Sequence, residues 1–134
     1  MKTQTRVYVP VQSTELRDLA ESGHLSCPRH GHVVSEQLRA EWPDSDDEEL
    51  EYAVLRLAAD ESRSDSAPGS RRCVVVADLP AAAVVPSVDL TRVEVVEVRR
   101  SWLAALHIDV AEGAEADDDL AWFAPSELAH ISGV

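Results

Sequence analysis

Residues 73–77 of this chain read Cys-Val-Val-Val-Ala, five apolar residues in succession, and Asp78-Leu79-Pro80 follow them. A strand with one wet face alternates apolar and polar residues, whereas a strand covered on both faces is apolar throughout. The run therefore predicts a central strand with a packed layer on each side. Cys73, at its start, is expected to be a small core side chain.

A helix is predicted upstream of this run, beginning in the acidic stretch 44–48. Ser45 and Glu48 lie three residues apart, the spacing of a capping box, and acidic residues in a first turn complement the positive end of a helix. Apolar residues then recur at the spacing of one helical face. We expect a helix from Asp46 to about Ser62. Its apolar stripe is Leu50, Ala53, Val54, Leu57 and Ala58, with Leu50, Val54 and Leu57 buried.

The N-terminal third begins with a β-branched and aromatic run, residues 6–11, in which Pro10 indicates that the strand ends near a sheet edge. Ser13 is placed to cap a short helix that Gly23 ends. From residue 24 to residue 43 the pattern is weaker. Residues 26–32 are typical of a loop, and Val33 and Val34 indicate the start of a strand.

The rest of the chain is predicted to add strands and short helical turns to the same sheet. Residues 62–70 are rich in Ser, Pro and Gly, which is typical of a dispensable surface loop. Strands are predicted at 93–98, 106–110 and 120–124, with a helical turn at 101–104 and a helix begun by Pro125. Because these late strands follow one another too closely for full crossovers, the sequence favours an α+β fold. We expect a mostly antiparallel or mixed sheet of about five strands with two to three helices packed on it.

Length and charge limit the classes of partner. The 134 residues fit a single domain, residues 1–134, and 25 acidic against 12 basic residues give a net charge of −13. Such a surface repels phosphate backbones and anionic lipids, so we expect neither nucleic acid nor a membrane as partner. Without an apolar leader or spanning segment, a cytoplasmic location is expected, and with it two free thiols, Cys27 and Cys73. No glycine-rich phosphate loop is visible, so no cofactor is predicted.

The densest group of chemically active side chains lies between residues 24 and 32. His24, Cys27, His30 and His32 are ligand types that zinc accepts. Their spacing matches no standard paired pattern, so we predict metal-free, solvent-facing histidines beside a partly buried Cys27, with a bound metal as the alternative. A catalytic pair of Cys27 and a nearby histidine would need only residue types that the sequence contains, and their presence alone does not favour it. No catalytic or cofactor-binding residue is assigned.

Four segments of the chain resemble a group of short actinobacterial proteins of unknown function. The resemblance lies in residues 6–10, 48–53, 76–80 and 122–128, which read Arg-Val-Tyr-Val-Pro, Glu-Glu-Leu-Glu-Tyr-Ala, Val-Ala-Asp-Leu-Pro and Trp-Phe-Ala-Pro-Ser-Glu-Leu. It implies a single cytoplasmic domain and transfers no activity.

Two functional hypotheses remain open. The first is a non-catalytic module that binds another protein, since no catalytic pattern is present and an acidic surface attracts basic partners. The second is a small enzyme whose site is not visible in sequence, such as an ADP-ribosyltransferase-like fold, which the order of elements loosely resembles. Tyr8 and Val9 stand where that family has a first-strand histidine, and Glu127 is the obvious place for its acid. Trp42, Trp102 and Trp122 are expected to be core or interface anchors.

Overall fold

A computed structural model of the chain describes residues 4–65, 70–87 and 89–131. These residues form an α+β fold with one antiparallel sheet of seven strands and four α-helices, more than the expected five strands and two to three helices. The strands are β1 (Gln4–Val11), β2 (Arg29–His32), β3 (Cys73–Pro80), β4 (Val84–Pro86), β5 (Arg92–Val95), β6 (Leu103–Ile108) and β7 (Ala121–Phe123). The helices are α1 (Ser13–Ser22), α2 (Glu36–Glu41), α3 (Asp47–Ser64) and α4 (Leu128–Ile131).

The sheet has the strand order β4-β5-β2-β1-β3-β6-β7. The predicted central strand is confirmed, because β3 lies between β1 and β6 and its first five residues are all buried. β1 pairs with β3 along its whole length, from Gln4 opposite Pro80 to Val11 opposite Cys73. The prediction that β1 ends near an edge is wrong, because β2 lies on its other side. The pairing of β1 with β2 is recorded at Tyr8 opposite His32, and the Pro10 carbonyl accepts from the side chain of Arg29, Nη2 at 3.0 Å.

Packed layers cover both faces of the sheet, as the apolar run in β3 predicts. On one face, alternate residues of β1, β3 and β6 pack with α1 and α4, whose buried residues include Leu16, Leu19 and Leu128. On the other face, Tyr8, Val74 and Val76 pack against α3 and against Leu38 of α2. The sheet is therefore the middle of three layers, and α3 is the main cover of the second face.

α3 begins one residue later than the sequence indicates. Asp46, not Ser45, caps it. The Asp46 Oδ1 accepts from the Glu49 N–H at 2.9 Å, and the Glu49 carboxylate accepts from the Asp46 N–H at 2.9 Å. The predicted burial of Leu57 is wrong, since 43% of its surface is exposed. The buried stripe of the helix is rotated from the one that the apolar pattern marks, because it omits Ala53 and Leu57 and includes Ala59 and Ser62. That stripe is Leu50, Val54, Ala58, Ala59 and Ser62.

The region from residue 12 to residue 43 differs most from the sequence predictions. Gln12, not Ser13, precedes α1, while Gly23 ends the helix as predicted, with a left-handed φ of 83°. Residues 29–32, predicted as loop, form β2, and the strand expected from Val33 is instead an irregular connection to α2, which Ser35 caps. β2 contains no apolar side chain, and so hydrophobic periodicity could not mark it.

The C-terminal half contains one strand more than predicted, β4, which pairs with β5 in a hairpin. The helical turn is at Arg100–Trp102, and Pro125 begins a short 3-10 turn that leads into α4. α3 continues to Ser64, and Ser62 is buried, so the predicted loop is shorter than residues 62–70. Residues 66–69 of that loop lie outside the described residues. Within the described ranges, every helix is too short or too polar to cross a membrane.

Candidate functional site

An apolar groove opens on the α3 side of the sheet, between α2, α3 and the segment 89–91 that leads into β5. It encloses about 680 Å³. Trp42, Leu57 and Leu90 stand at its mouth with 60%, 43% and 38% of their surface exposed. Large apolar side chains that are exposed side by side are uncommon unless something covers them. The apolar lining of this groove is Leu38, Trp42, Leu50, Ala53, Leu57 and Leu90.

A chain of polar side chains lies at one end of the apolar groove. The buried imidazole of His32 is within 2.8 Å of the Thr91 hydroxyl through Nδ1 and within 2.6 Å of a Glu61 oxygen through Nε2. The second oxygen of Glu61 accepts from Arg92. With Nε2 protonated, His32 donates to Glu61 and accepts from Thr91, so every polar atom of the ring is satisfied. The arrangement can pass a proton between Thr91 and His32.

Three distant parts of the chain bring these side chains together. His32 ends β2, opposite Tyr8 of β1 and Arg92 of β5, while Glu61 comes from the last third of α3. The Val33 N–H donates to the Thr91 carbonyl at 2.8 Å, which fixes the segment before β5.

Gly31 allows β2 to pack this tightly between its neighbours. A Cβ at this position would lie 2.4 Å from Val7 Cγ1 and 3.3 Å from Val95 Cγ2, closer than packed carbon atoms approach. The absence of a side chain therefore sets the position of β2, and with it the position of His32.

Charge is distributed unequally along the apolar groove. Towards the start of α3, the lining residues Trp42, Ser45 and Glu49 each directly follow an exposed carboxylate residue in the chain. These carboxylate residues are Glu41, Asp44 and Glu48; we call them the acidic end, and none of them has an ion-pair partner among the described residues. At the other end, Arg56 hydrogen-bonds the Tyr52 hydroxyl at 2.9 Å and the Ala116 carbonyl at 2.6 Å. Both direct partners of Arg56 are neutral, and the same Tyr52 hydroxyl donates to the Asp119 carboxylate at 3.1 Å.

The structure does not bring the four candidate metal ligands together. His24 lies at the end of α1 beside Arg99, Cys27 lies in the following turn, and His30 is exposed on β2. His32 is buried rather than solvent-facing, because it belongs to a strand and not to a flexible loop. Within residues 4–65, 70–87 and 89–131, no three His, Cys, Asp or Glu side chains are grouped to hold a metal ion. Burial raises the pKa of Cys27 above its ordinary value.

The residues that the transferase hypothesis would use are engaged in holding the fold together. Tyr8 and Val9 are buried in β1, and burial together with the nearby Glu51 raises the pKa of Tyr8 to about 12. The Glu127 carboxylate accepts from the Ala124 N–H at 2.8 Å, so it caps its own turn. Of the tryptophans, Trp102 packs on the core, whereas Trp42 and Trp122 are exposed.

The sequence pattern of a family of unknown function, DUF6912, matches residues 5–131, nearly the whole chain. This chain belongs to DUF6912. No curated protein matches it, and neither does any solved structure. Since DUF6912 has no assigned activity, the geometry of the groove is the ground on which a function is proposed.

Sequence reasoning identified only one member of the polar chain in this DUF6912 protein, His32, and identified it as a metal candidate. It missed Glu61 and Thr91. Glu61 lies four residues after Leu57, on the same side of α3. A prediction that Leu57 is exposed would therefore have placed Glu61 beside it. Nothing in the local sequence marks Thr91, because its role depends on the pairing of β2 with β5.

Proposed function

We propose that this protein is a binding module that holds an apolar segment of another protein in the apolar groove. The observation that carries the proposal is the exposure of Trp42, Leu57 and Leu90 along one concave surface. Burying such side chains stabilises a complex by about 25 cal/mol for each Å² of apolar surface removed from water. Aromatic and leucine anchors at the centre of an interface commonly carry most of its binding energy.

Site-specific cross-linking tests the proposal. A photoreactive amino acid replaces Leu57 in one variant and Val110 in another; Val110 is the matched control because it is exposed and apolar and lines a different cavity, beside Leu16 of α1. The protein trapped through position 57 is then purified and titrated against the unmodified chain and against Leu57→Gln and Val110→Gln. We expect Leu57→Gln to weaken binding by about tenfold or more, the usual effect of losing an anchor, and Val110→Gln to leave it unchanged. Equal trapping at both positions, or equal affinity of both variants, would contradict a groove-bound partner.

Catalysis is the second candidate, and one observation favours it. The Thr91 hydroxyl, the His32 imidazole and the Glu61 carboxylate are linked in series at the end of the apolar groove, the order of a nucleophile, a base and an orienting group. Hydrolysis of chromogenic esters with short acyl chains tests it. Turnover that Thr91→Val abolishes would support an esterase, and turnover that survives this change would contradict it. The transferase form of the enzyme hypothesis has no comparable geometric support, because Glu127 is engaged in its own turn.

The proposed setting is the cytoplasm, with a basic protein as partner and neither nucleic acid nor membrane. The support is the net charge of −13, which attracts cationic surfaces and repels phosphate. The actinobacterial source implied by the resemblance stays a prediction.

A further inference from the structure

We infer that the partner presents a short amphipathic helix whose N-terminal part is basic, and that the acidic end of the groove recognises that part. This inference rests on the proposed function and deepens it, because it specifies the form, the charge and the direction of the bound segment.

The walls of the apolar groove favour a helix over an extended segment. An added strand needs free backbone N–H and C=O groups on its host. One wall is α3, whose backbone groups are used within the helix. On the other wall, the Leu90 carbonyl accepts from the Ser35 hydroxyl and the Thr91 carbonyl accepts from the Val33 N–H. A helix satisfies its own backbone, so it needs only the side-chain surface that the groove offers.

The length of the groove suits about two helical turns. Its α3 wall runs from Glu49 through Ala53 to Leu57, eight steps along the helix. At a rise of 1.5 Å per residue, this wall is about 12 Å long. Apolar side chains at positions i, i+4 and i+7 of a bound helix span about 10 Å, and such spacing is how helices anchor in grooves.

The charge asymmetry of the groove sets the direction of the bound helix. The acidic end attracts lysine and arginine side chains, and it also favours the positive N-terminal end of a helix dipole. Arg56, about 12 Å beyond Glu48 along α3, lies where the negative C-terminal end would be placed. The two ends of the groove therefore favour the same orientation.

A second copy of this chain is a poor occupant of the groove. Two molecules that each carry a net charge of −13 repel one another, whereas the same field accelerates the approach of a basic partner. The apolar lining and the acidic end thus select for a different, cationic protein.

Labelled synthetic peptides test the inference by fluorescence anisotropy. Each peptide has roughly 16 residues, long enough to populate a helix, with leucines on one face. The first carries lysine and arginine in its N-terminal half, the second carries them in its C-terminal half, the third carries glutamate instead, and the fourth has serine in place of leucine. The protein variants are Leu57→Gln, Glu41→Lys and Glu112→Lys. Glu112→Lys is the matched control, because it changes the net charge equally in the exposed loop that follows β6.

We expect the first peptide to bind about tenfold more tightly than the acidic and serine peptides, and more tightly than the reversed one. Leu57→Gln should weaken it, and Glu41→Lys should weaken it about threefold while Glu112→Lys does not. If basic and acidic peptides bind alike and both depend on Leu57, the groove binds apolar segments and the charge inference is wrong. If both charge reversals weaken binding equally, or Leu57→Gln has no effect, the attraction is non-specific and the inference fails. If no peptide binds, the inference is overturned, while the cross-linking experiment still decides the proposed function.

Discussion

Arg72 and Asp109 form an ion pair that is closed to solvent, with 0% and 1% of their side chains exposed. The guanidinium donates to both carboxylate oxygens, at 2.7 and 2.8 Å, and these hydrogen bonds raise the pKa of Arg72. Its other N–H groups donate to the carbonyls of Ala116 and Asp118, at 3.1 and 2.8 Å. The pair therefore joins the start of β3, the end of β6 and the acidic loop that follows β6.

Removing one member of this pair should destabilise the protein strongly. Arg72→Met leaves the Asp109 carboxylate buried without a counter-charge, which typically costs about 3 to 5 kcal/mol. Urea denaturation measures the loss. Arg6→Met is the control, because the Arg6–Asp78 pair is largely exposed and should cost less than about 1 kcal/mol. Similar losses in the two variants would mean that burial does not decide the strength of these pairs.

Burial raises the pKa of Cys73 to about 12 from an ordinary value near 9. The folded protein therefore holds this proton more tightly than the unfolded chain does, and the resulting stability is complete below pH 9 and lost as the pH rises towards 12. Between those values the wild type should lose up to about 1.4 kcal/mol per pH unit through this one group. Cys73→Ala lacks the thiol, so its urea midpoint should fall less steeply between pH 8 and pH 10.5. Parallel pH dependence of the two proteins would contradict a buried, neutral thiol.

At the scale of a secondary-structure element, burial changes along one side of α3. Leu50 is 4% exposed and packs in the core below the groove, whereas Leu57, two turns later on the same side, is 43% exposed at the mouth of the groove. Leu50→Ala should therefore cost about 2 to 4 kcal/mol of unfolding free energy, and Leu57→Ala less than about 1 kcal/mol. Paired urea melts measure both losses. Equal losses would place Leu57 in the core.

The close packing of β2 between its neighbouring strands requires a residue without a side chain at position 31. In Gly31→Ala the new methyl group would overlap Val7 Cγ1, so the strand must move or the core must repack, at a cost of about 1 to 3 kcal/mol. Thermal unfolding measures the loss. In a Val7→Ala background the same substitution should cost less, because the clashing atom is gone. An undiminished cost there would mean that the strain arises elsewhere in the strand.

For the whole molecule, the sequence predicted the elements whose apolar pattern is strong and local. The run at residues 73–77 and the capped helix from residue 46 both carry such signals. β2 lacks an apolar side chain, and β4 has three residues, so neither produces a readable period. Leu57 was misplaced because an apolar stripe on a helix does not show which of its edges faces the sheet.

The candidate site was less predictable than the fold, because it is assembled from separate elements. His32, Glu61 and Thr91 are brought together by the pairing of β2 with β5 and by the crossing of α3. The apolar groove arises where α3 meets α2 and the segment before β5, and the apolar residues that line it follow an ordinary core pattern in the sequence. Tertiary packing decides both features, and local sequence does not encode it.

The pairing of β1 with β3 has a consequence during synthesis. Its partners are 62 to 76 residues apart along the chain, from Val11 opposite Cys73 to Gln4 opposite Pro80. β1 therefore waits for its longest pairing until residue 80 has emerged from the ribosome, which takes several seconds at about 5 to 20 residues per second. Throughout that interval β1 lacks the neighbour that pairs with it along its whole length. The nascent chain is thus most accessible to chaperones before β1 and β3 pair at the centre of the sheet. That pairing joins residues far apart in the sequence, and such contacts form slowly.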